Sequence, residues 1–529
     1  MTAIQDYVAR EFGTFADLFV LQASARPDAV AVVDEAGSVT YAALKNRVDR
    51  IAAALQRDGV SAGGVVGICA SASIEYLAIF LGSLRAGAAI SPLAPSATPE
   101  QLGAMITDSG TSHLFTDAEV SDLLSPIARR MGVRRIAMDT GALGDPIEDW
   151  LSPPDAVPTP VVVEPDAPFN IIYSSGTTGT PKGVVQSHRM RWPHVYRADP
   201  PGYGPGAVAL ISTPLYSNTT LVSVIPALAG GGTVVLMSKF EARRFLELSE
   251  RYRVNFAMLV PVQYRRILAV PDFDRFDLSS YYMKYATSAP FPADLKAEVL
   301  RRWPGGLIEY YGMTEGGGSC VLVAHEHPDK LATVGRPMPG HEMRVIDESG
   351  NELPPGEIGE VVGRSPSMMN GYHNQPEKTA AAEWWSPSGD RFIRTGDIAS
   401  VDADGFFTLV GRAKDMIISG GINIYPVDLE DVLLAHPSVL EAAVIGVASD
   451  RWGETPVGFV TLHGDGKGEG AMAIDAEMLR DWANARLGKM QRLSAVHVLD
   501  ALPRNAIGKI LKRELQDIYM VHHRKGDGA

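Results

Sequence analysis

The chain has 529 residues with 48 Lys and Arg against 62 Asp and Glu, a formal net charge of −14. That length has room for more than one domain, and a surface that negative repels nucleic-acid phosphates, so no nucleic-acid partner is expected. Hydrophobic residues at 46% and charged residues at 21% describe a globular protein and exclude bulk disorder.

The elements alternate from the start. Thr40 caps a predicted helix carrying Leu44, Val48, Ile51 and Leu55, with Gly59 at its end. A strand at Val65–Cys69, a helix at Ser73–Leu84 and a strand at Ala88–Leu93 follow. Ser152–Pro165 holds five prolines and reads as an extended connector. Strands at Val208–Ser212 and Thr233–Met237 and a helix at Ala242–Tyr252 continue the alternation, which predicts α/β layers with mostly parallel sheets. Leu221–Met237 is broken by Pro226 and Gly230–Gly232, so it reads as buried strands and turns and not as a membrane span. Strands and turns dominate before Gly411, at Gly356–Gly363 and Phe406–Val410, and the pattern changes near Gly411. Beyond it come helices at Val427–Ala435 and Ala476–Leu487, strands at Ala442–Val447, Gly458–Leu462 and Ala495–Leu499, and a frayed tail from His522. The expectation is a large N-terminal domain, residues 1–411, of layered α/β sheets plus a β-rich part, and a small mobile α+β domain, residues 412–529.

Cys69 and Cys320 are too far apart to suggest a framework and read as core residues in a reducing compartment. No signal peptide is evident, and a cytoplasmic location is expected. HExxH and GxGxxG motifs are absent; Gly59–Gly63 matches G-x-S-x-G by letter, but the strand and helix around it are in the wrong order for a nucleophile elbow.

The strongest chemical signal is Tyr173-Ser174-Ser175-Gly176-Thr177-Thr178-Gly179-Thr180-Pro181-Lys182-Gly183, entered from the apolar run Phe169–Tyr173. Its hydroxyls and backbone amides can wrap a polyphosphate, its glycines admit close approach, and Lys182 supplies charge. It is not a Walker loop, because Pro181 and Gly183 fall where that motif needs glycine and Ser/Thr. In Tyr311-Gly312-Met313-Thr314-Glu315, an aromatic can stack on a base, Thr314 can bond a phosphate, and Glu315 can hold Mg²⁺ against phosphate oxygens.

With these motifs stand Leu84–Ala88, Gly356–Glu360, Arg394–Asp397, Gly411–Asp415 and Pro503–Lys509. In that order, over nearly the whole chain, they resemble the AMP-forming adenylating superfamily of acyl- and aryl-CoA synthetases, firefly luciferase and peptide-synthetase adenylation domains. The resemblance implies ATP, Mg²⁺ and coenzyme A as cofactors and a small carboxylic acid as substrate. It places Ser174, Ser175, Gly176, Thr177, Thr178, Gly179 and Lys182 on the phosphates, and Ser288, Ala289 and Pro290 along the adenine. Tyr311, Gly312, Met313 and Thr314 belong to the same nucleotide site, Glu315 takes the metal, and Asp397 and Arg412 take the ribose. Lys509 becomes the mobile lysine of the first half-reaction, with Thr314 and Glu315 beside it as catalytic groups. Lys414 becomes the hinge, and Gly420 and Gly421 line the CoA tunnel. Tyr216, Ser217, Asn218 and Tyr264 fall at the acyl pocket. Ser174 replaces a common Thr, Ser288 a common Gly, and Ser217 a His that would gate the pocket.

The expected reaction is ATP-dependent carboxylic acid:CoA ligation through an acyl-adenylate, on an aromatic or a medium- to long-chain aliphatic acid. The alternative is a stand-alone adenylating enzyme that hands acyl-AMP to another acceptor such as a carrier protein. An amino-acid adenylation module would place an Asp near Tyr216, and Ala207–Met237 contains no acidic residue. Homo-oligomerisation is compatible with the sequence and is not read from it.

Overall fold

The computed structural model describes residues 3–127, 132–174, 182–195, 202–419, 422–449, 451–463, 475–488, 491–505 and 508–526. The chain packs as two compact units, one of residues 1–342 with 363–393 and a second of 343–362 with 394–529. Asp397 and Arg412 therefore pack in the same unit as Lys414 and Lys509.

Among the described residues, the first unit holds two large sheets. In one, Val208–Ile211, Phe256–Leu259, Met283–Ala286 and Gly306–Gly312 lie side by side and parallel. Their carboxyl ends share one edge, the place where open α/β sheets bind ligands. In the other, Val65–Cys69 and Ala89–Pro92 are parallel neighbours, next to Pro168–Ser174. Pro168–Ser174 then pairs antiparallel with Lys182–Ser187. The sequence explains these elements. Thr40 and Ser73 cap their helices by accepting from Ala43 N and Tyr76 N, and Gly59 turns the chain at φ +84°. Val65–Cys69 and Ala89–Pro92 are buried along their length, which is why they read as short apolar runs. Cys69 and Cys320 are both buried and free.

Leu221–Met237 departs from the strand-and-turn reading. Asn218–Ala229 is a helix, and only Thr233–Leu236 is a strand. The helix is buried on nearly every face, so it shows no amphipathic stripe. Pro226 sits in its last turn, where it removes one i→i−4 hydrogen bond near the end of the ladder. The tail departs too: the last helix, Lys512–Gly526, continues past His522.

In the second unit, residues 397–401 of the strand Arg391–Val401 pair antiparallel with Phe407–Arg412. Further on, Val439–Ser449 pairs antiparallel with Gly453–Leu462, which also takes Ala495–Val498 as a parallel neighbour. Leu429, Leu433, Leu479 and Ala483 pack two helices against this sheet. No helix among the described residues is long and apolar enough to cross a membrane.

Candidate active site

The phosphate-type loop is the connection of a β-hairpin. Its arms are paired to the last residue, with Ser174 opposite Lys182 and Tyr173 opposite Gly183. Ser175, Gly176, Thr177, Thr178 and Gly179 lie outside the described residues. A third strand, Gly371–Tyr372, adds to the exit arm and sets Tyr372 opposite Val184. That pairing brings Tyr372 to the loop. Lys182 Nζ lies 4.9 Å from the centroid of its ring, a cation–π distance. Its hydroxyl donates to Glu315 Oε1 at 2.9 Å. Burial, and then the Glu315 charge, push the Tyr372 phenol well above its ordinary range, so it stays a donor.

Thr314 and Glu315 follow the Gly306–Gly312 strand, in which Tyr311 stands opposite Cys320. The Thr314 carbonyl accepts from Gln186 Nε2 at 2.6 Å, and the Glu315 carbonyl from Met369 N at 2.9 Å. Gly316 then turns at φ +72°, where a Cβ would lie 1.9 Å from the Ser367 carbonyl oxygen. The turn is thus tied to both the loop hairpin and the 367–369 segment. Lys182, Glu315 and Tyr372 form one cluster, and Thr314 is joined to it through the hairpin.

Tyr216, Ser217 and Asn218 follow the Val208–Ile211 strand, and Ser288, Ala289 and Pro290 follow Met283–Ala286. Parallel neighbours put these segments at the same sheet edge. Ser288 has φ +78°, a left-handed conformation that favours glycine, and its Oγ lies 2.5 Å from Thr219 Oγ1. Burial pushes the Tyr216 phenol up. Among the described residues Asn218 Oδ1 is buried with no partner. Tyr264 is fully buried, stacked on Phe291 at 5.2 Å, and its hydroxyl donates to the Tyr285 carbonyl at 2.8 Å. A pocket role for Tyr264 would run through the strand it holds.

In the second unit, the antiparallel register sets Asp397 opposite Arg412, with Arg412 Nε at 2.9 Å from Asp397 Oδ1. Lys509 lies in the field of this pair. Burial first, then the Arg412 and Lys414 charges, push its ammonium down to about 8, while Asp397 and Asp415 oppose the shift. Its loop is a tight hairpin: Lys509 N donates to Asn505 Oδ1 at 2.9 Å, and Arg504 Nη1 to the Gly508 carbonyl at 2.6 Å. Arg504 Nη2 is also 2.8 Å from Glu441 Oε1. Lys414 is exposed in a short 3₁₀ turn, Ala413–Asp415. Gly420 and Gly421 lie outside the described residues, between the paired strands Ile417–Ser419 and Ile422–Ile424.

Among the described residues no group of three or more His, Cys, Asp or Glu side chains could hold a metal ion. Glu315 is a single carboxylate with one oxygen committed to Tyr372. That donor set suits a Mg²⁺ that arrives with phosphate oxygens and keeps its waters, and it does not suit a resident metal.

Tyr372, Gln186 and Thr219 were not foreseen from the sequence. Only Gln186 left a signal, a polar residue directly after the apolar pair Val184 and Val185.

The family model described as AMP-binding enzyme matches residues 19–373, and that of the AMP-binding enzyme C-terminal domain matches 428–509. The chain is 35% identical over 502 residues to feruloyl-CoA synthase of an Amycolatopsis species, covering 94% of this chain and 97% of that one. It is 33% identical over 501 residues to the fatty acid–[acyl-carrier-protein] ligase ScoC of Streptomyces coeruleorubidus, covering 93% of each. The crystal structure of ATP-bound MatB from Rhodopseudomonas palustris superposes with a TM-score of 0.81 at 29% identity, covering 95% of this chain and 99% of that one.

Proposed function

This chain belongs to the AMP-binding enzymes of the AMP-forming adenylating superfamily and is an AMP-forming acid–thiol ligase, and from that premise we propose that it joins an aromatic carboxylic acid to coenzyme A. The observation that carries the nucleotide half is the cluster around Tyr372. One ring seats the loop lysine and, through its hydroxyl, fixes the carboxylate that would meet the metal. A cation and an oriented carboxylate at one loop are what a Mg-bound polyphosphate needs. Mg²⁺, held by Glu315 and the phosphates, would offset charge on the departing pyrophosphate.

In the first step, the substrate carboxylate attacks the α-phosphorus of ATP, forming acyl-AMP and releasing pyrophosphate. Lys182 and Thr314 hold phosphates, Asp397 and Arg412 the ribose, and Tyr311 with Ser288–Pro290 the adenine. Lys509 stabilises the charge that develops during attack. In the second step, the thiol of CoA attacks the mixed anhydride and AMP leaves. The chain beyond Lys414, which carries Lys509, reorients between the steps, and Gly420 and Gly421 admit the pantetheine arm.

The choice of an aromatic acid rests on a half-buried tyrosine at the sheet edge, Tyr216, in a segment without acidic residues, and on the feruloyl-CoA synthase relative. An α-ammonium there would lack a counter-ion. The ScoC relative supports a second reading, a carrier protein as acceptor. A pyrophosphate-release screen over hydroxycinnamic, benzoic, fatty and amino acids, with and without CoA, decides both. Hydroxycinnamates should lead, with CoA raising turnover. Equal turnover of amino acids would refute the pocket assignment, and turnover indifferent to CoA would favour the carrier-protein reading.

A further inference from the structure

The hairpin that presents the phosphate loop is gripped from behind by a buried cation. Arg191, on the helix His188–Val195, is 1% exposed. Its Nε and Nη2 both donate to Asn170 Oδ1 at 3.3 Å, and Nη2 also donates to Gln186 Oε1. No carboxylate pairs with it among the described residues. Among the described residues its Nη1 is buried without a partner, as is Nδ2 of Asn170. Burying a guanidinium against two neutral amides costs more than burying an apolar residue of the same length.

The placement of those amides gives the arrangement a use. Asn170 and Gln186 face each other across the two arms, at paired register positions. Asn170 lies four residues before Ser174, and Gln186 four residues after Lys182. Gln186 spends its other end on the Thr314 carbonyl, at 2.6 Å. One guanidinium thereby touches the entry arm, the exit arm and, through Gln186, the Thr314–Glu315 turn. We propose that Arg191 and Gln186 are positioning residues for adenylation: Arg191 fixes the register of both loop arms, and Gln186 carries that register to the Thr314–Glu315 turn. The inference rests on Thr314 and Glu315 serving the nucleotide, as read above.

The variant that separates positioning from stability is Gln186→Glu. It keeps the shape and gives Arg191 a counter-ion, but it has no N–H for the Thr314 carbonyl. Its melting midpoint should match or exceed that of the wild type. By equilibrium dialysis it should bind MgATP ~10-fold more weakly, the scale of one lost hydrogen bond at a charged site. Single-turnover pyrophosphate release should fall ~10- to 100-fold. AMP release from supplied acyl-AMP and CoA should stay within about twofold, since the pyrophosphate-bearing groups have then left. Arg191→Met should show the same split if it folds, and Gln186→Glu decides the matter if it does not. Wild-type MgATP affinity in Gln186→Glu, or an equal fall in both half-reactions, would overturn the proposal. A wild type that releases pyrophosphate with no acid would instead sink the ligase reading. The dialysis arm, which needs no acid, would still decide this one.

Discussion

The alkaline limb of adenylation should be the titration of Lys509. Burial and the Arg412 and Lys414 charges lower its ammonium from 10.5 to about 8, against the pull of Asp397 and Asp415. The charged form is the one that can stabilise a transition state at the α-phosphorus. The rate is therefore carried below that value and lost as pH rises through it. For a single group with that pKa, the charged fraction is ~90% at pH 7, half near pH 8 and ~10% at pH 9, so kcat/KM for MgATP should drop ~10-fold between pH 7 and 9. An unperturbed lysine would hold the rate to about pH 10. The direction of two further changes follows from the neighbours. Lys414→Met removes a like charge and should move the limb to higher pH. Asp415→Asn removes an opposite charge and should move it lower. Lys509→Arg, charged throughout, should react more slowly but with no limb in this range. Stopped-flow pyrophosphate release from pH 6 to 10 reads all four proteins. A limb near pH 8 that survives in Lys509→Arg belongs to another group and refutes the assignment.

Three shorter predictions test other contacts. Tyr372→Phe keeps the ring under Lys182 but frees Glu315, so the Mg²⁺ needed for half-maximal adenylation should rise ~10-fold; a Mg²⁺ titration matching the wild type would detach Tyr372 from the metal. Glu441→Gln weakens the ion pair that anchors Arg504 under the Lys509 hairpin, and pyrophosphate release should fall ~5- to 10-fold while thioester formation from acyl-AMP holds; a loss in both steps would make it a fold contact. Lys296 and Glu309 form a buried pair at 2.5 Å, with Lys296 also donating to the Leu331 and Thr333 carbonyls. Lys296→Met should cost ~3–5 kcal/mol in denaturant unfolding by stranding Glu309, whose carboxyl burial already pushes up, and Lys296→Met/Glu309→Leu should recover most of it.

What the sequence could tell depended on whether a residue's partner was near it in the chain. Caps and turns are local, so Thr40 and Gly59 announced the two ends of their helix. Parallel strands are buried on both faces, so Val65–Cys69, Val208–Ile211 and Thr233–Leu236 stood out as short apolar runs. Asn218–Ala229 failed the same test for a physical reason: a helix buried all round has no 3.6-residue stripe, and Pro226 with the glycines after it looks like a break. Site groups divided along the same line. Thr314 and Glu315 are contiguous with the tyrosine of their motif. Tyr372 meets Glu315 only because a two-residue strand adds to the hairpin edge, 57 residues further on. Arg189 and Arg191 make the point within one turn of helix. In sequence they are two arginines in one polar-looking stretch. In the fold Arg189 is exposed beside Asp166, and Arg191 is sealed against Asn170 and Gln186. Their difference is set by which side of the helix faces the strand pair, and that pair is closed by a loop whose composition said only that it could hold phosphate. A motif therefore named the chemistry of this site, and strand register, which no motif encodes, decided which side chains hold it in place.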